Sequence, residues 1–284
     1  MRGGTDMTAH TEKVTIVIPC YNDGAYLPET VRSAFDQTCQ DFRVVIVDDA
    51  STDRRTREIL VELERDPRIE VVRLTENGGT GNARNKGIAA SATPYILTLD
   101  SGDHFAPSFL EKALAVLENS PGTGVVTCGI QEFGIHHGYW LPKGGGVQNF
   151  LADNNCCGNA LFRRAFWEDA GGYDTTILYE DWDFWISGTS KGWEVHVLQE
   201  PLFFYRITGR SKSSTDAQQR AGIYRQMVRK HRQCFCDNIE QLLFEKETQV
   251  VNLYHSPNYQ KFLRVLNLMF KVRRWFSVGR RGRT

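Results

Sequence analysis

The chain reads as an α/β protein, a three-layer α/β/α sandwich whose mostly parallel central sheet is covered by helices on both faces. Three observations predict this. Apolar runs suited to buried strands alternate with segments of helical periodicity from Val14 to Tyr205. The runs Val14 to Ile18, Val44 to Val47 and Tyr95 to Leu99 lack the polar alternation of a half-solvated sheet, as expected of strands buried on both faces. Two acidic clusters, Asp48-Asp49 and Asp100 with Asp103, follow directly on two of these runs, at strand ends where open α/β sheets carry their ligands.

The first strand, Val14 to Ile18, is stopped by Pro19 and followed by the polar loop Cys20-Tyr21-Asn22-Asp23-Gly24. Leu27, Val31, Ala34 and Phe35 then recur at helical spacing. Val44 to Val47 is the second strand, and Ser51-Thr52-Asp53 suits the cap of a helix whose apolar face holds Ile59, Leu60 and Leu63. Val71 to Leu74 is a short third strand; the loop Glu76 to Gly81 leads to a helix over Asn82 to Ala92 and a strand over Tyr95 to Leu99. Phe109 to Leu117 predicts a helix and Val125 to Cys128 a strand. Phe133 to Phe150, with His136-His137 and Gly144-Gly145-Gly146, reads as a long loop over the site. Short helices at Arg163 to Ala170 and Glu180 to Lys191 precede strands at Trp193 to Leu198 and Leu202 to Tyr205. Past Gly209 the character changes: 211–215 is a polar link, and Ala217 to Phe235 and Asn258 to Phe270 are helical. Residues 11–210 are therefore expected to form the main domain and 211–284 a helical C-terminal extension.

Thirty-four basic residues balance 34 acidic ones, so the molecule lacks the charge signature of a nucleic-acid binder. Lys261 to Thr284 holds eight Lys or Arg and no Asp or Glu; it suits either a solvated tail or, with Trp275 and Phe276, an edge resting on an anionic membrane. No run approaches the roughly 20 apolar residues of a bilayer span, and the polar N-terminus lacks a signal-peptide core. Seven cysteines without a secreted framework suggest free thiols, and Cys234 and Cys236 do not have zinc-ribbon spacing. The expected location is cytoplasmic, with peripheral contact at the inner membrane face as an option.

Carboxylates at two strand ends suit a nucleotide diphosphate and a divalent cation such as Mn2+ or Mg2+, which prefer oxygen ligands. Gly78, Gly79 and Gly81 lack dinucleotide-fold spacing and serve turn geometry before a helix. Cys156 and Cys157 are as well suited to packing as to a ligand, and Trp182 and Trp185 suit the core better than a sugar platform.

Four blocks, Val14-Thr15-Ile16-Val17-Ile18-Pro19-Cys20-Tyr21-Asn22, Val45-Ile46-Val47-Asp48-Asp49-Ala50-Ser51-Thr52-Asp53, Asn77-Gly78-Gly79-Thr80-Gly81-Asn82-Ala83-Arg84-Asn85-Lys86-Gly87 and Glu180-Asp181-Trp182-Asp183-Phe184-Trp185, resemble the signature blocks of family 2 glycosyltransferases, in the family order. The resemblance implies a GT-A catalytic domain, a nucleotide-diphosphate sugar as donor (UDP favoured, dTDP or GDP as alternatives), and inverting transfer to a hydroxyl. The acceptor would be a glycan, a lipid-linked intermediate or a small metabolite, in polysaccharide or glycoconjugate biosynthesis.

Carried over, Pro19 and Tyr21 line the base pocket with Tyr21 stacking, Asp49 accepts a hydrogen from the base, and Asp48 supports the loop. Arg84 lies over the base or the diphosphate. Asp23, Asn82, Asp100 and Ser101 also face the donor, and Arg206 or Arg210 contacts its diphosphate. Asn154, Asn155, Cys157 and Trp182 fall on the acceptor or sugar side, with Glu180 and Asp181 as the catalytic pair and Asp181 as the base. The sequence departs from the family at Gly102, where a metal-binding aspartate is usual; Asp103 and Asp100 would then hold the metal, or the metal is dispensable. Two rivals stay open: a nucleotidyltransferase, against which the loop after the first strand has no basic residue, and a non-catalytic carbohydrate- or nucleotide-binding protein, for which Gly102 argues. The C-terminal helices suit a homodimer contact, and the segment Phe262 to Phe270 suits either that or a membrane.

Overall fold

The computed structural model describes residues 12–208 and 217–264, in two compact units that part between Cys234 and Phe235. In the first, β1 (Val14–Cys20), α1 (Leu27–Phe35), β2 (Phe42–Asp48), α2 (Arg54–Leu63), β3 (Ile69–Arg73), α3 (Gly79–Ala89) and β4 (Tyr95–Thr98) alternate. Then come β5 (His104–Phe105), α4 (Phe109–Asn119), β6 (Thr123–Gly134), β7 (Gly138–Trp140), α5 (Gln148–Leu151) and β8 (Leu161–Arg163). α6 (Arg164–Ala170), α7 (Glu180–Thr189), β9 (Glu194–Ile207) and α8 (Ala217–Lys230) follow, and α9 (Arg232–Asp237) spans the boundary. The second unit contains α10 (Ile239–His255) and a helical run over 257–264.

Among the described residues nine strands form one sheet in the order β3-β2-β1-β4-β8-β6-β9-β5, with β7 paired to β6. β1 runs parallel to β2 and β4, and β2 to β3. β6 and β9 are parallel to each other, whereas β8, inserted between β4 and β6, is antiparallel to both. The result is the expected three-layer sandwich on a largely parallel sheet.

Side-chain alternation along the strands assigns the layers. Ile16, Ile18, Val44 and Ile46 join Leu27, Val31, Leu60, Phe109 and Leu114 of α1, α2 and α4 in one core; each such buried aliphatic contributes roughly 1.5–3 kcal/mol. Val17 and Val47 point the other way, onto α3. Gly87 permits that approach, because a Cβ there would lie 2.5 Å from Val17 Cγ1. Phe162, Phe166, Phe184 and Trp185 cluster between β8, α6 and α7, with Phe166 and Phe184 edge to face at 5.1 Å. α2 starts as its sequence indicates, with Asp53 accepting from Thr56 N at 2.8 Å.

Three expectations change. The stretch 133–150 is no long loop: β6 continues to Gly134 and turns back as β7, and 148–151 form α5. Its glycines and histidines hid a hairpin whose pairing runs from Ile130 opposite Trp140 to Glu132 opposite Gly138. The two last strands are one, β9, which carries Pro201 through a register shift against Cys128 and Gly129. The single helix expected over 217–235 is broken into α8 and α9.

No helix among the described residues is long and apolar enough to cross a membrane. Met1 to residue 11, the link 211–215, Arg210, the basic stretch from 265 onward and most of the segment Phe262 to Phe270 lie outside the described residues.

Candidate active site

Three loops at the C-terminal ends of β1, β2 and β3 are tied together by short polar side chains. Asn22, with φ 58°, accepts through Oδ1 from Thr52 N and Asp53 N at 2.8 Å each, and its own N–H donates to Ser51 Oγ at 3.0 Å. Asp48 Oδ1 accepts from Ser51 N at 2.9 Å, closing the turn that holds Ala50 at φ 60°. Asp49, buried, accepts from Gly78 N and Gly79 N at 2.8 Å each, which fixes the glycine loop to β2. Tyr21 projects from this platform with 43% of its surface exposed. Pro19, by contrast, is buried inside β1 opposite Val47. Asp23 is half-buried, and its carbonyl receives the first amides of α1. Asn82 packs over Gly78.

The centre of the site is Arg84. Its guanidinium, 2% exposed, donates to both oxygens of Asp100 at 2.7 and 2.9 Å, reaches Glu180 Oε1 at 3.4 Å, and lies 5.4 Å from the Tyr173 ring centroid. Burial alone would disfavour its charge, but Asp100, Tyr173 and Glu180 more than offset that and hold it protonated. The Arg84 guanidinium is thus taken up by the Asp100 and Glu180 carboxylates. Asp100 is fixed further by Asn159, whose Oδ1 accepts from Asp100 N at 2.6 Å and whose Nδ2 donates to Asp100 Oδ2 at 3.2 Å.

The loop after Asp100 carries Ser101, with a buried, unpartnered hydroxyl, and Gly102 at φ 107°. Gly102 N donates to Thr30 Oγ1 at 2.8 Å and its carbonyl accepts from Arg206 Nε at 2.9 Å. Arg206 also pairs with Glu29 and stacks on Phe133, 4.4 Å from the ring centroid. Asp103 is turned into the protein, 4% exposed, accepting from Arg206 N at 2.8 Å; burial, assisted by Asp100, pushes its carboxyl well above the usual range. Asp103 therefore faces Arg206 N rather than solvent. Among the described residues no three His, Cys, Asp or Glu side chains form a metal cage. Asp100, its side chain about one-third exposed, is the carboxylate that suits a cation whose other ligands are diphosphate oxygens.

Asp181 stands in the first turn of α7. Asn154 Nδ2 donates to its Oδ2 at 2.9 Å and Trp182 N to its Oδ1 at 2.8 Å. Burial raises its pKa, while Arg84 and then the Asn154 hydrogen bond pull it back; Glu180 is raised in the same way, by burial against Arg84. A Cβ on Gly158 would lie 3.3 Å from Arg84 Nη2 and 3.4 Å from Asp181 Oδ2, so Arg84 and Asp181 both lie close around Gly158.

The residues expected on the acceptor or sugar side make contacts within the protein. Asn155 donates to Asn149 O and supports the preceding loop, and it is Asn154 that touches Asp181. Cys157 is half-buried with Sγ 3.5 Å from Asn159 N, and burial pushes its thiol far up. Trp182 is buried with Nε1 on Phe150 O at 2.7 Å, so its ring is packing. Asn154 is among the residues expected on this side, whereas the part of Asn22 in tying the loops together is not anticipated; the legible signal is an asparagine in a polar loop directly after a strand, a residue that tolerates φ above zero.

Comparison with known proteins agrees with this geometry. The family model described as glycosyl transferase family 2 matches residues 15–170. TuaG of Bacillus subtilis (strain 168), a glycosyltransferase named for teichuronic acid biosynthesis, is 32% identical over 79% of this chain and 92% of its own length. An uncharacterised glycosyltransferase of Haemophilus influenzae is 28% identical over 72% of this chain and 71% of its own. Among solved structures, S. aureus TarS 1–349 in complex with UDP-GlcNAc superposes with a TM-score of 0.61 at 21% identity, covering 72% of this chain and 62% of that one. Mannosyltransferase PcManGT from Pyrobaculum calidifontis, in complex with GDP-Man and Mn2+, gives 0.57 at 16% identity, covering 88% and 82%. The structural likenesses show the GT-A fold, and the sequence match extends over most of that fold; the chain is a glycosyltransferase and belongs to glycosyl transferase family 2.

Proposed function

We propose that this enzyme transfers a sugar from a nucleoside-diphosphate sugar to a hydroxyl acceptor with inversion, and that Asp181 is the base. The observation that carries the reading is Asp181 itself: a carboxylate with a raised pKa, oriented by Asn154 and set close to Arg84 around Gly158, where we place the crevice for the acceptor. A raised pKa makes a carboxylate a better proton acceptor near neutrality, a contribution of typically about 100- to 10,000-fold. The acceptor hydroxyl gives its proton to Asp181 as its oxygen bonds to the anomeric carbon; the bond from that carbon to the diphosphate breaks, and the diphosphate leaves with the electron pair. Glu180, held by Arg84, keeps a second carboxyl at the crevice. Tyr21 offers the stacking face for the base. Mn2+ or Mg2+ bound at Asp100 would stabilise charge on the departing diphosphate. UDP is the nucleotide we favour, and a growing polysaccharide is the acceptor that the likeness to TuaG supports.

Calorimetric titration with UDP, GDP and dTDP sugars, with and without Mn2+, tests the donor, and Asp181→Asn tests the base. The variant is expected to keep nucleotide affinity while turnover falls at least about 100-fold. Unchanged turnover would remove Asp181 from the mechanism; binding of no nucleotide sugar would overturn the donor assignment.

A further inference from the structure

The residues that hold Asp181 in place extend beyond the part of the chain matched by the family model, into α8. Asp183, two positions after Asp181, is 1% exposed and points away from the crevice. Its Oδ1 accepts from His231 Nε2 at 2.7 Å and its Oδ2 from Lys230 Nζ at 2.7 Å. His231 N donates to Met227 O at 2.9 Å, so it continues the last turn of α8. Lys230 Nζ also donates to Asp174 Oδ2 at 2.7 Å, and this bond, with Thr176, lowers the Asp174 carboxyl to about 2. Asp174 follows Tyr173, whose ring stacks on Phe184 of α7 at 4.1 Å and lies beside Arg84.

The same helix grips the other support of Asp181. Arg220 Nη2 pairs with Asp153 Oδ1 at 2.7 Å, next to Asn154, and the Tyr224 ring lies 6.1 Å from that of Trp182, next to Asp181. Arg220, Tyr224, Met227 and His231, spaced by four, three and four residues, share one face of the helix. Met227 and Ile223 are buried on that side.

We infer that α8 is a strap whose His231 and Lys230 are positioning residues for Asp181. This rests on the reading of Asp181 as base. The physical reason is the cost of leaving Asp183 without partners. A buried carboxylate must be matched by charge or hydrogen bonds, and without His231 and Lys230 it is driven toward solvent, which rotates the first turn of α7. A group displaced by about 1 Å loses up to about 100-fold in rate.

The test compares His231→Ala, His231→Gln and Lys230→Met with Asp181→Asn in the full-length chain. It measures kcat and KM with the donor found above, UDP affinity by calorimetry, and thermal stability. His231→Ala is expected to lower kcat at least about tenfold with UDP affinity and donor KM unchanged within about twofold. His231→Gln, which keeps an N–H for Asp183, is expected to restore most of the loss, with Lys230→Met falling between. A His231→Ala enzyme of near-normal kcat, whatever its stability, would overturn the inference, as would kcat and UDP affinity falling together. Should His231→Ala not fold, the other two decide: kcat unchanged in Lys230→Met, or lost equally in His231→Gln, overturns it. Full turnover in Asp181→Asn would instead mark failure of the base assignment itself.

Discussion

Replacing Arg84 by methionine removes the positive charge at the centre of the site while keeping most of the side-chain volume. The guanidinium bonds both oxygens of Asp100 and reaches Glu180, whose side chains are 34% and 18% exposed. Deleting one partner of a buried ion pair costs about 3–5 kcal/mol; because Asp100 retains solvent, the lower end, about 3 kcal/mol at pH 7.5, is expected. The deficit should depend on pH. Glu180 and Asp181 already have folded pKa values above their unfolded ones through burial, opposed by Arg84. Removing that opposition raises them further. A carboxyl raised on folding lowers stability when ionised, and the penalty fades as pH falls through its folded pKa. The variant should therefore be worst at pH 7.5 and approach the wild type toward pH 5. Urea denaturation followed by tryptophan fluorescence at both pH values reads this directly, since Trp140, Trp167, Trp182, Trp185 and Trp193 all lie in the first unit. A loss below about 1 kcal/mol at pH 7.5, or a deficit that is flat or grows on acidification, would refute the reasoning.

Two further substitutions separate geometry from charge. Asn154→Ala removes a hydrogen bond that stabilises ionised Asp181 against burial and the nearby Asp100, so the base should ionise at higher pH. The acidic limb of the kcat–pH profile is expected to move up by as much as about one unit, with kcat recovering at pH 8; a limb that moves down would contradict the assignment. Gly102→Ala meets no crowding, its nearest neighbour being Tyr26 Cβ at 3.6 Å, yet φ is 107°. A loss of roughly 1–2 kcal/mol in urea denaturation is expected from backbone strain alone, and Gly102→Asp should incur it too, so restoring the carboxylate usual in the family is not a neutral change; an unaltered midpoint for Gly102→Ala would show the strain to be absent.

Much of the architecture was legible because buried strands announce themselves as unbroken apolar runs: β1, β2 and β4 lie where Val14, Val44 and Tyr95 begin those runs. The 133–150 hairpin was not, since pairing across sequence depends on a partner strand that local composition does not name. The acidic residues were found as residues, but their orientations were not. Asp103 and Asp100 are three positions apart, yet one faces inward toward Arg206 N and the other toward Arg84. That difference arises from the left-handed turn at Gly102 and from β9, about a hundred residues later in the chain. Asn154 and Asn155 carry the same expectation, and only the fold decides which of the two adjacent amides reaches Asp181 of α7.

The antiparallel insertion of β8 beside β4 has an engineering consequence. Tyr95 to Leu97 meet Arg163 to Leu161 in only three residue pairs, after which Thr98 and Asp100 are joined to the 158–160 segment by side-chain hydrogen bonds. β1, β2 and β3 lie on one side of this seam and Asp181 on the segment that follows it. A chimera spliced within 158–163 must keep the Thr98 and Asp100 contacts and also the reach of Arg206 back to Gly102 and Asp103 and of Glu180 to Arg84, so the downstream block can be imported only with the residues that lock it to the loop after β4.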